Sequence, residues 1–264
     1  MKKYLVIGNP IEHSLSPKLH NYWIKKNKID AIYDKKLINE VDIENIIFQI
    51  KKGDIHGINV TVPFKQKVIP FVDELTSEAN ESQSVNTIYK ENNKIIGHNT
   101  DMAGFELGLK HVNYNGKDKK IFILGAGGVV SSIILVLKKI GASKIILSNR
   151  TKKKAENLKK YFSYLELIDW GKTPKFDMII NATSLGLKKT DEIKLNYTDI
   201  GTNKFFYDVI YNPKQTIFLK RAKMFGNKTE NGKMMFIYQA HQAFTIWHKV
   251  MPRIDEETIK LLDL

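Results

Sequence analysis

The glycine-rich stretch at residues 119–132, KKIFILGAGGVVSS, constrains the fold of this 264-residue chain more than any other. Apolar residues 121–124 end at Gly125, and a segment of small and apolar residues then runs from 129 to 140. This pattern predicts a buried parallel strand, a tight turn and the N-terminus of a helix. Such a turn brings backbone N–H groups and the positive end of the helix dipole to a pyrophosphate. The stretch therefore predicts a Rossmann-type unit that binds a dinucleotide.

The next predicted strand, residues 144–147, indicates which dinucleotide is bound. It begins about twenty residues after the first strand, where NAD sites carry Asp or Glu for the ribose 2′-OH. This chain has the sequence SNRT at 148–151 instead, followed by three lysines. Only three of its 42 basic residues are arginines, and Arg150 is one of them. Because a guanidinium forms charge-assisted bonds to phosphate, the site favours NADP.

Two features weaken the prediction of a dinucleotide site. The third small position of the glycine pattern is Val130, a larger residue that should push the helix slightly off the strand. A glycine-rich turn can also be a plain connection between a strand and a helix. The second strand with Arg150 makes that alternative the weaker one.

Composition restricts the classes of function. The formal net charge is +14, but the lysines are spread along the whole chain, without an arginine-rich arm or an aromatic-basic RNA motif. A basic, solvated surface is therefore the main interpretation, and nucleic-acid binding is a weak alternative. The chain has no cysteine and no apolar run of about 18 residues. We expect a cytoplasmic monomer or homodimer that binds a small molecule and neither nucleic acid nor a membrane.

The hydrophobic pattern predicts two successive α/β units. In the first unit, Ser16 and Pro17 should begin a helix, with Ser16 as its N-cap, and Pro63 should begin another. The other predicted elements of this unit are strands 4–7, 31–37 and 57–62, a helix over 43–51 and a hairpin over 85–97. In the second unit we predict strands 144–149, 178–181 and 205–209, helices 102–111 and 216–225, and a final long helix over 232–250.

Five short polar stretches lie beside predicted strand ends. They read SLSP at 14–17, NVTVPFK at 59–65, VNT at 85–87, GHNTDMAGF at 97–105 and NATSLG at 181–186. With NVTxPxK and NTDxxGF in this order, the chain resembles the shikimate dehydrogenase family almost from end to end. The resemblance implies reversible NADPH-dependent reduction of 3-dehydroshikimate to shikimate. It also implies an α/β fold with a substrate-binding domain (1–101 with 237–264) and a Rossmann-type NADP domain (102–236), the last helix packing back on the substrate domain.

Lys65 and Asp101 are the candidate catalytic residues. A helix beginning at Pro63 would place its positive end at Lys65 and favour a neutral amine that exchanges a proton with a substrate oxygen. Lys65 could instead be a solvated lysine of a first helical turn, and Asp101 could be only the N-cap of the next helix. The resemblance implies that both residues act together at the substrate hydroxyl.

The resemblance also implies the remaining site residues. Ser14 and Ser16 would bind the substrate carboxylate, and the other substrate-binding residues would be Thr61, Asn86, Tyr211 and Gln239. The dinucleotide would be bound by Gly125, Ala126, Gly127, Gly128, Val129, Asn149, Arg150, Thr151 and Lys154, with Ala182, Thr183, Val209 and Gly232 beside its nicotinamide half. The family often has Arg where this chain has Lys154, which keeps the charge but loses the planar fork.

The sequence indicates no metal site, and it leaves two alternative functions open. We assign no metal site, because His13, His20, His98 and His241 do not form a cluster by their spacing. A paralogue that uses quinate or accepts NAD is one alternative enzyme, although the NRT sequence at 149–151 argues against a preference for NAD. A catalytically silent module that senses NADP or a metabolite is another possibility, and the intact pair of Lys65 and Asp101 argues against it.

Overall fold

The computed structural model describes residues 1–188 and 190–263, and it consists of two compact units. The first unit comprises Met1–Phe105 together with Ile237–Asp263, and the second comprises Glu106–Phe236. Each unit contains a six-stranded sheet with helices, so the predicted α/β class is confirmed. Within the described ranges, none of the helices has the length and apolar character needed to cross a membrane.

The first unit is built on a mixed sheet. Its strands are β1 (Lys2–Gly8), β2 (Ala31–Leu37), β3 (Gly57–Val60), β4 (Glu74–Leu75), β5 (Thr87–Glu91) and β6 (Lys94–His98), and its first helices are α1 (Ser16–Lys26), α2 (Ile43–Lys52) and α3 (Ser77–Ser82). The strand order is β2-β1-β3-β5-β6-β4. Since β5 runs antiparallel to both β3 and β6, the carboxyl ends of β1, β3 and β6 lie at the same edge as the start of β5. The loops that carry NVTVPFK, VNT and NTD therefore meet at one edge.

The second unit is built on a parallel sheet. Its strands are β7 (Lys120–Leu124), β8 (Lys144–Ser148), β9 (Glu166–Leu167), β10 (Met178–Asn181), β11 (Phe205–Asp208) and β12 (Lys228–Glu230). Its helices are α4 (Asp101–His111), which begins in the first unit, α5 (Val130–Lys139), α6 (Lys152–Tyr161), α7 (Tyr197–Ile200) and α8 (Ile217–Met224). The order β12-β11-β10-β7-β8-β9 is that of a Rossmann fold, in which two mononucleotide-binding halves meet between β7 and β10.

The last long helix, α9 (Lys233–His248), contributes its residues from Ile237 onward to the first unit. There the indole of Trp247 packs on the ring of Tyr4, at 5.0 Å between centroids. The same indole also lies directly against Gly57, where an added Cβ would be only 2.5 Å from it. The predicted packing of this helix on the N-terminal sheet is therefore confirmed. A short helix that we did not predict, α10 (Glu256–Lys260), follows, capped by Asp255, whose carboxylate accepts the N–H of Thr258.

The predicted helix at Pro63 is wrong. Residues 61–68 form turns, and β3 ends at Val60 instead of residue 62. The carbonyl of Lys65 accepts the N–H of Val85 at 2.8 Å, so it is not available to a helical partner four residues later. Phe64 is buried in the core, which fixes the turn. Lys65 therefore lies in a turn and not at the positive end of a helix dipole.

The predicted capping role of Ser16 is also wrong. Ser16 is the first residue of α1, and Leu15 occupies the cap position. The hydroxyl of Ser14 accepts the N–H of Ser16 at 3.3 Å, so it is Ser14 that provides a hydrogen-bond acceptor at the start of this helix. Pro17 lies in the first turn, as predicted.

Candidate functional site

Lys65 and Asp101 form a close ion pair at the polar edge of the first sheet. Lys65 Nζ donates to Asp101 Oδ2 at 2.5 Å, and the two side chains are only 11% and 7% exposed. Lys65 is supplied by the turn after β3, and Asp101 by the first residue of α4. The side-chain oxygen of Asn99 accepts the N–H of Met102, so Asn99 provides the hydrogen-bond acceptor for the first turn of α4. The carboxylate of Asp101 is thus directed to the lysine, and the alternative that it only caps the helix is wrong.

Asn86 holds the second oxygen of this carboxylate. Its Nδ2 donates to Asp101 Oδ1 at 2.9 Å, and its Oδ1 accepts the backbone N–H of Thr100 at 2.8 Å. The hydroxyls of Thr87 and Thr100 also donate to Oδ1, at 3.1 and 3.2 Å. Three donors on one oxygen set the orientation of the amide, so its N–H groups face Asp101. Gln239 Oε1, from α9, lies 3.5 Å from both Asn86 Nδ2 and Thr100 Oγ1.

Sequence reasoning did not include Thr87 and Thr100 among the site residues. Both are fully buried. A signal for them existed, since each is a polar residue at a strand end directly beside a predicted site residue. What the sequence could not show is that both hydroxyls converge on the oxygen of Asn86.

The other predicted substrate-binding residues of the first unit lie on loops at the same edge. Thr61 donates its N–H to Ile7 of β1 at 2.9 Å, and its methyl lies 2.5 Å from the position of a Cβ on Gly8. Ser14 is partly buried in the loop after β1, and Ser16 is buried at the start of α1. The edge therefore offers hydroxyl, amide, ammonium and carboxylate groups. Such a set suits a polyhydroxylated acid and the transfer of a proton.

The glycine turn of the second unit has the shape that the sequence predicts. Gly125 adopts φ +112°, and a Cβ there would lie 2.6 Å from the carbonyl oxygen of Ala182. A Cβ on Gly127, by contrast, would meet nothing within 4 Å among the described residues. The exposed Gly127 thus leaves room just before the N-terminus of α5, where a phosphate is stabilised. Val130 is fully buried at the first position of α5.

A basic cluster follows β8, at the strand end where the ribose of a dinucleotide is bound. Arg150, Lys152, Lys153 and Lys154 are all exposed. The last three occupy the first turn of α6, where positive charge is unfavourable because it faces the positive end of the helix dipole. Asn149 stabilises the turn by donating from Nδ2 to the carbonyl of Thr151 at 2.8 Å. Open space at Gly127 and a cluster of cations are the groups that a dinucleotide with an additional phosphate requires, so the residues fit NADP.

The remaining predicted cofactor residues lie after β10, β11 and β12. Thr183 donates from both its N–H and its hydroxyl to Asn181 Oδ1, at 3.0 and 2.7 Å, which fixes the loop after β10. The carbonyl of Val209 lies 2.0 Å from the position of a Cβ on Gly232, so only glycine fits there. Tyr211, predicted for the substrate, stacks on Phe236 of the same unit at 4.3 Å.

Two family profiles match the chain. The profile described as Shikimate dehydrogenase substrate binding domain matches residues 6–88, and the one described as Shikimate / quinate 5-dehydrogenase matches residues 106–197. The first lies in the first unit, and the second lies in the Rossmann-type unit.

Individual proteins are similar over their whole length. Shikimate dehydrogenase (NADP(+)) of Pelagibacter ubique strain HTCC1062 is 65% identical, over 100% of this chain and 99% of its own. The crystal structure of shikimate dehydrogenase from Aquifex aeolicus has a TM-score of 0.90 at 37% identity, covering 99% of this chain and 97% of that one. A shikimate dehydrogenase solved in complex with NADP+ has a TM-score of 0.91 at 33% identity, covering 99% and 94%.

Proposed function

The chain belongs to the shikimate dehydrogenase family, and we propose that Lys65 and Asp101 are the catalytic pair with which it reduces 3-dehydroshikimate to shikimate. One observation carries the assignment of these residues: a nearly buried lysine and carboxylate in contact at 2.5 Å, surrounded by hydroxyl and amide groups. When bound, NADPH supplies the hydride that is added to the carbonyl carbon.

Lys65 supplies the proton of the reduction. The carbonyl oxygen gains negative charge as its carbon is reduced, and an ammonium beside it can stabilise that charge and then donate a proton. In the reverse direction the neutral amine accepts the proton of the hydroxyl. Asp101 orients the ammonium through Oδ2, and Asn86 keeps the carboxylate in place through Oδ1. The two ionisable groups therefore act as one unit.

We propose that residues 1–101 and 237–264 bind the substrate. Ser14 and Ser16 donate to its carboxylate, since two hydroxyls only two residues apart at the start of α1 can hold its two oxygens. The ring hydroxyls are bound by Thr61, Asn86, Tyr211 and Gln239, of which Tyr211 comes from outside this part of the chain. Amide groups suit this task because they both donate and accept.

We propose that residues 102–236 bind NADP. The turn from Gly125 to Val129 holds the pyrophosphate, and the 2′-phosphate is bound by Asn149, Arg150, Thr151 and Lys154. The nicotinamide half lies on Ala182, Thr183, Val209 and Gly232. The support is the open space at Gly127 and the basic first turn of α6. We also propose that the protein acts in the cytoplasm, as a monomer or homodimer.

A spectrophotometric assay of shikimate or quinate with NADP+ or NAD+ tests the reaction. Shikimate with NADP+ should be the preferred combination. Preference for quinate would favour a paralogue of the kind that the second profile's description includes. Binding of NADP+ without turnover of either acid would favour a silent sensor.

Substitution of Lys65 tests the catalytic pair. Lys65→Met keeps the packing of the side-chain stem and removes the ammonium, so kcat should fall at least about a hundredfold. Lys67→Met is the matched control, because Lys67 lies in the same turn but is 41% exposed and paired with Glu40 at the surface. The control should keep kcat within about twofold, as expected for an exposed ion pair. Near-normal kcat in Lys65→Met would exclude Lys65 as the proton donor.

Asp101→Asn tests whether the two residues act together. It removes the charge that orients Lys65, so kcat should fall as well. The double variant should lose far less than the product of the two single effects, because groups that act as one unit are not additive. Additive losses would show that Asp101 and Lys65 act independently.

A further inference from the structure

Asp208 is a fully buried carboxylate that the proposed reaction does not use. It is the last residue of β11. Its Oδ1 accepts the side-chain N–H of Asn181 and the backbone N–H of Ile210, both at 3.0 Å. Its Oδ2 accepts the hydroxyl of Thr216 at 2.6 Å. One side chain thus joins the end of β10, the segment after β11 and the start of α8.

The partners of Asp208 extend this arrangement into the loops on either side. Asn181 donates its second side-chain N–H to the carbonyl of Leu185 at 2.9 Å, and its Oδ1 accepts both bonds from Thr183. Its backbone carbonyl accepts the N–H of Val209 at 2.9 Å. The position of Thr183 therefore depends on the orientation of the Asn181 side chain, and that orientation depends in turn on Asp208, the residue directly before Val209.

Thr216 completes the set. It is the N-cap of α8, and its hydroxyl accepts the N–H of Leu219 at 3.4 Å while donating to Asp208. Its methyl also limits the space at Gly186, where a Cβ would lie 3.0 Å away. The start of α8 is thus packed against the loop after β10.

Stability alone does not explain a carboxylate at this place. Burial raises the pKa of Asp208 to about 6, which shows that its charge is disfavoured there. Well-packed apolar residues stabilise a core at least as well as a buried charged group. What a fully hydrogen-bonded polar group adds is a single defined geometry for the segments that it joins.

We propose that Asp208 is a positioning residue for the nicotinamide half of the cofactor, which it does not touch. The inference rests on the proposed function, in which Ala182, Thr183 and Val209 hold that half. It agrees with the sheet order, because β10, β11 and β12 form the second mononucleotide-binding half of the fold. The glycine turn and Arg150 belong to the other half.

Calorimetric titrations with two ligands measure binding to the two mononucleotide-binding halves separately. NADP+ contains both halves, whereas adenosine 2′,5′-bisphosphate lacks the nicotinamide. Asp208→Ala leaves the donors of Asn181, Ile210 and Thr216 without an acceptor, so it should weaken NADP+ binding about tenfold. Binding of the bisphosphate should change less than about twofold. Asp208→Asn should restore NADP+ binding, because its oxygen still accepts two bonds and its NH₂ can donate to the hydroxyl of Thr216.

Matched variants distinguish positioning from general damage. Arg150→Ala should weaken both ligands alike, and Tyr197→Phe should weaken neither. Tyr197 is a suitable control, since its hydroxyl makes a buried bond to the carbonyl of Phe218 in α8, a bond that involves none of Asp208, Asn181 and Thr216. If circular dichroism shows that Asp208→Ala does not fold, the same two titrations are made with Thr216→Val, which lacks the hydroxyl that donates to Asp208. Thr216→Ser keeps this hydroxyl and is its conservative control.

The outcomes divide clearly. Loss of NADP+ binding with the bisphosphate retained supports the proposal. Equal loss of both ligands, or loss of neither, in a folded variant overturns it. If the unmutated protein binds neither ligand, the proposed function itself fails.

Discussion

Ser14 and Ser16 differ in their structural tasks although they are proposed to bind the same carboxylate. Ser14 accepts the N–H of Ser16, whereas the hydroxyl of Ser16 is not required as the helix cap. Hydroxyls that hold a carboxylate contact it equally before and during hydride transfer, and such uniform binding lowers KM without raising kcat. Either Ser→Ala variant should therefore raise the KM for shikimate and keep kcat, in steady-state kinetics at saturating NADP+.

Ser77→Ala serves as the control, because Ser77 is an exposed serine whose hydroxyl donates to Glu78. It should leave both constants unchanged. A fall in kcat at constant KM in Ser14→Ala or Ser16→Ala would show that the hydroxyls act in the transition state instead.

His20 makes the first unit sensitive to acid. Its ring is fully buried and stacks on Tyr33 at 4.2 Å, and neither ring nitrogen has a hydrogen-bond partner among the described residues. Burial, and secondarily the charge of His248, lower the pKa of His20 from 6.5 to about 3. Between pH 6.5 and about 3, His20 is therefore protonated in the unfolded chain and neutral in the folded chain. The stability of the folded state falls as the pH is lowered through this range.

At about pH 5 this effect amounts to about 2 kcal/mol. His20→Phe keeps the ring and removes the titration. The difference in unfolding free energy between about pH 8 and about pH 5, from urea denaturation, should shrink by about that amount. The exposed His13 provides the control variant His13→Gln, which should leave the difference unchanged. An unaltered pH dependence in His20→Phe would mean that His20 is not the group responsible.

At the scale of elements, two of the three glycines in the turn before α5 have different requirements. Gly125 has φ +112° and no room for a Cβ, so Gly125→Ala should lower stability by about 1–3 kcal/mol. Gly127 has room, so Gly127→Ala should fold normally, and its methyl should occupy the space left for the phosphate. Thermal unfolding and NADP+ titration should therefore separate them: the first loses stability, and the second loses affinity. If Gly127→Ala bound NADP+ normally, the phosphate would not lie at this turn.

The same elements show how far sequence reasoning reaches. The four central strands of the Rossmann-type sheet (β7, β8, β10 and β11) and α2 were predictable, because apolar periodicity and the glycine turn are local signals, whereas the short outer strands β9 and β12 were not predicted. The turn at 61–68 was not, because the backbone of Lys65 is held by Val85, twenty positions along the chain, and proline allows either a helix or a turn. Lys65 and Asp101 were identified by motif, whereas the convergence of Thr87 and Thr100 on Asn86 depends on how two strands pair. The proposed roles themselves stay predictions.

For the whole molecule, the formal net charge of +14 should lower the stability of the folded state and strengthen the binding of anionic ligands, and added salt should weaken both effects. Like charges on one compact surface repel and reduce the stability of the folded state. The same charges attract the phosphates of the proposed cofactor, with the basic first turn of α6 contributing most. Salt shortens the range of both interactions, from about 10 Å at 0.1 M to about 3 Å at 1 M.

Raising sodium chloride from about 0.1 to about 0.5 M should therefore increase the Tm while weakening NADP+ binding. The affinity for NAD+, which lacks the 2′-phosphate, should fall less steeply over the same range, because fewer charges are screened. Calorimetric titration of both dinucleotides and thermal unfolding in the same buffers provide the measurement. Equal salt slopes for NADP+ and NAD+ would show that Arg150 and the lysines behind it do not hold the 2′-phosphate. A Tm that falls with salt would show that ion pairs such as Lys26 with Asp255 outweigh the repulsion.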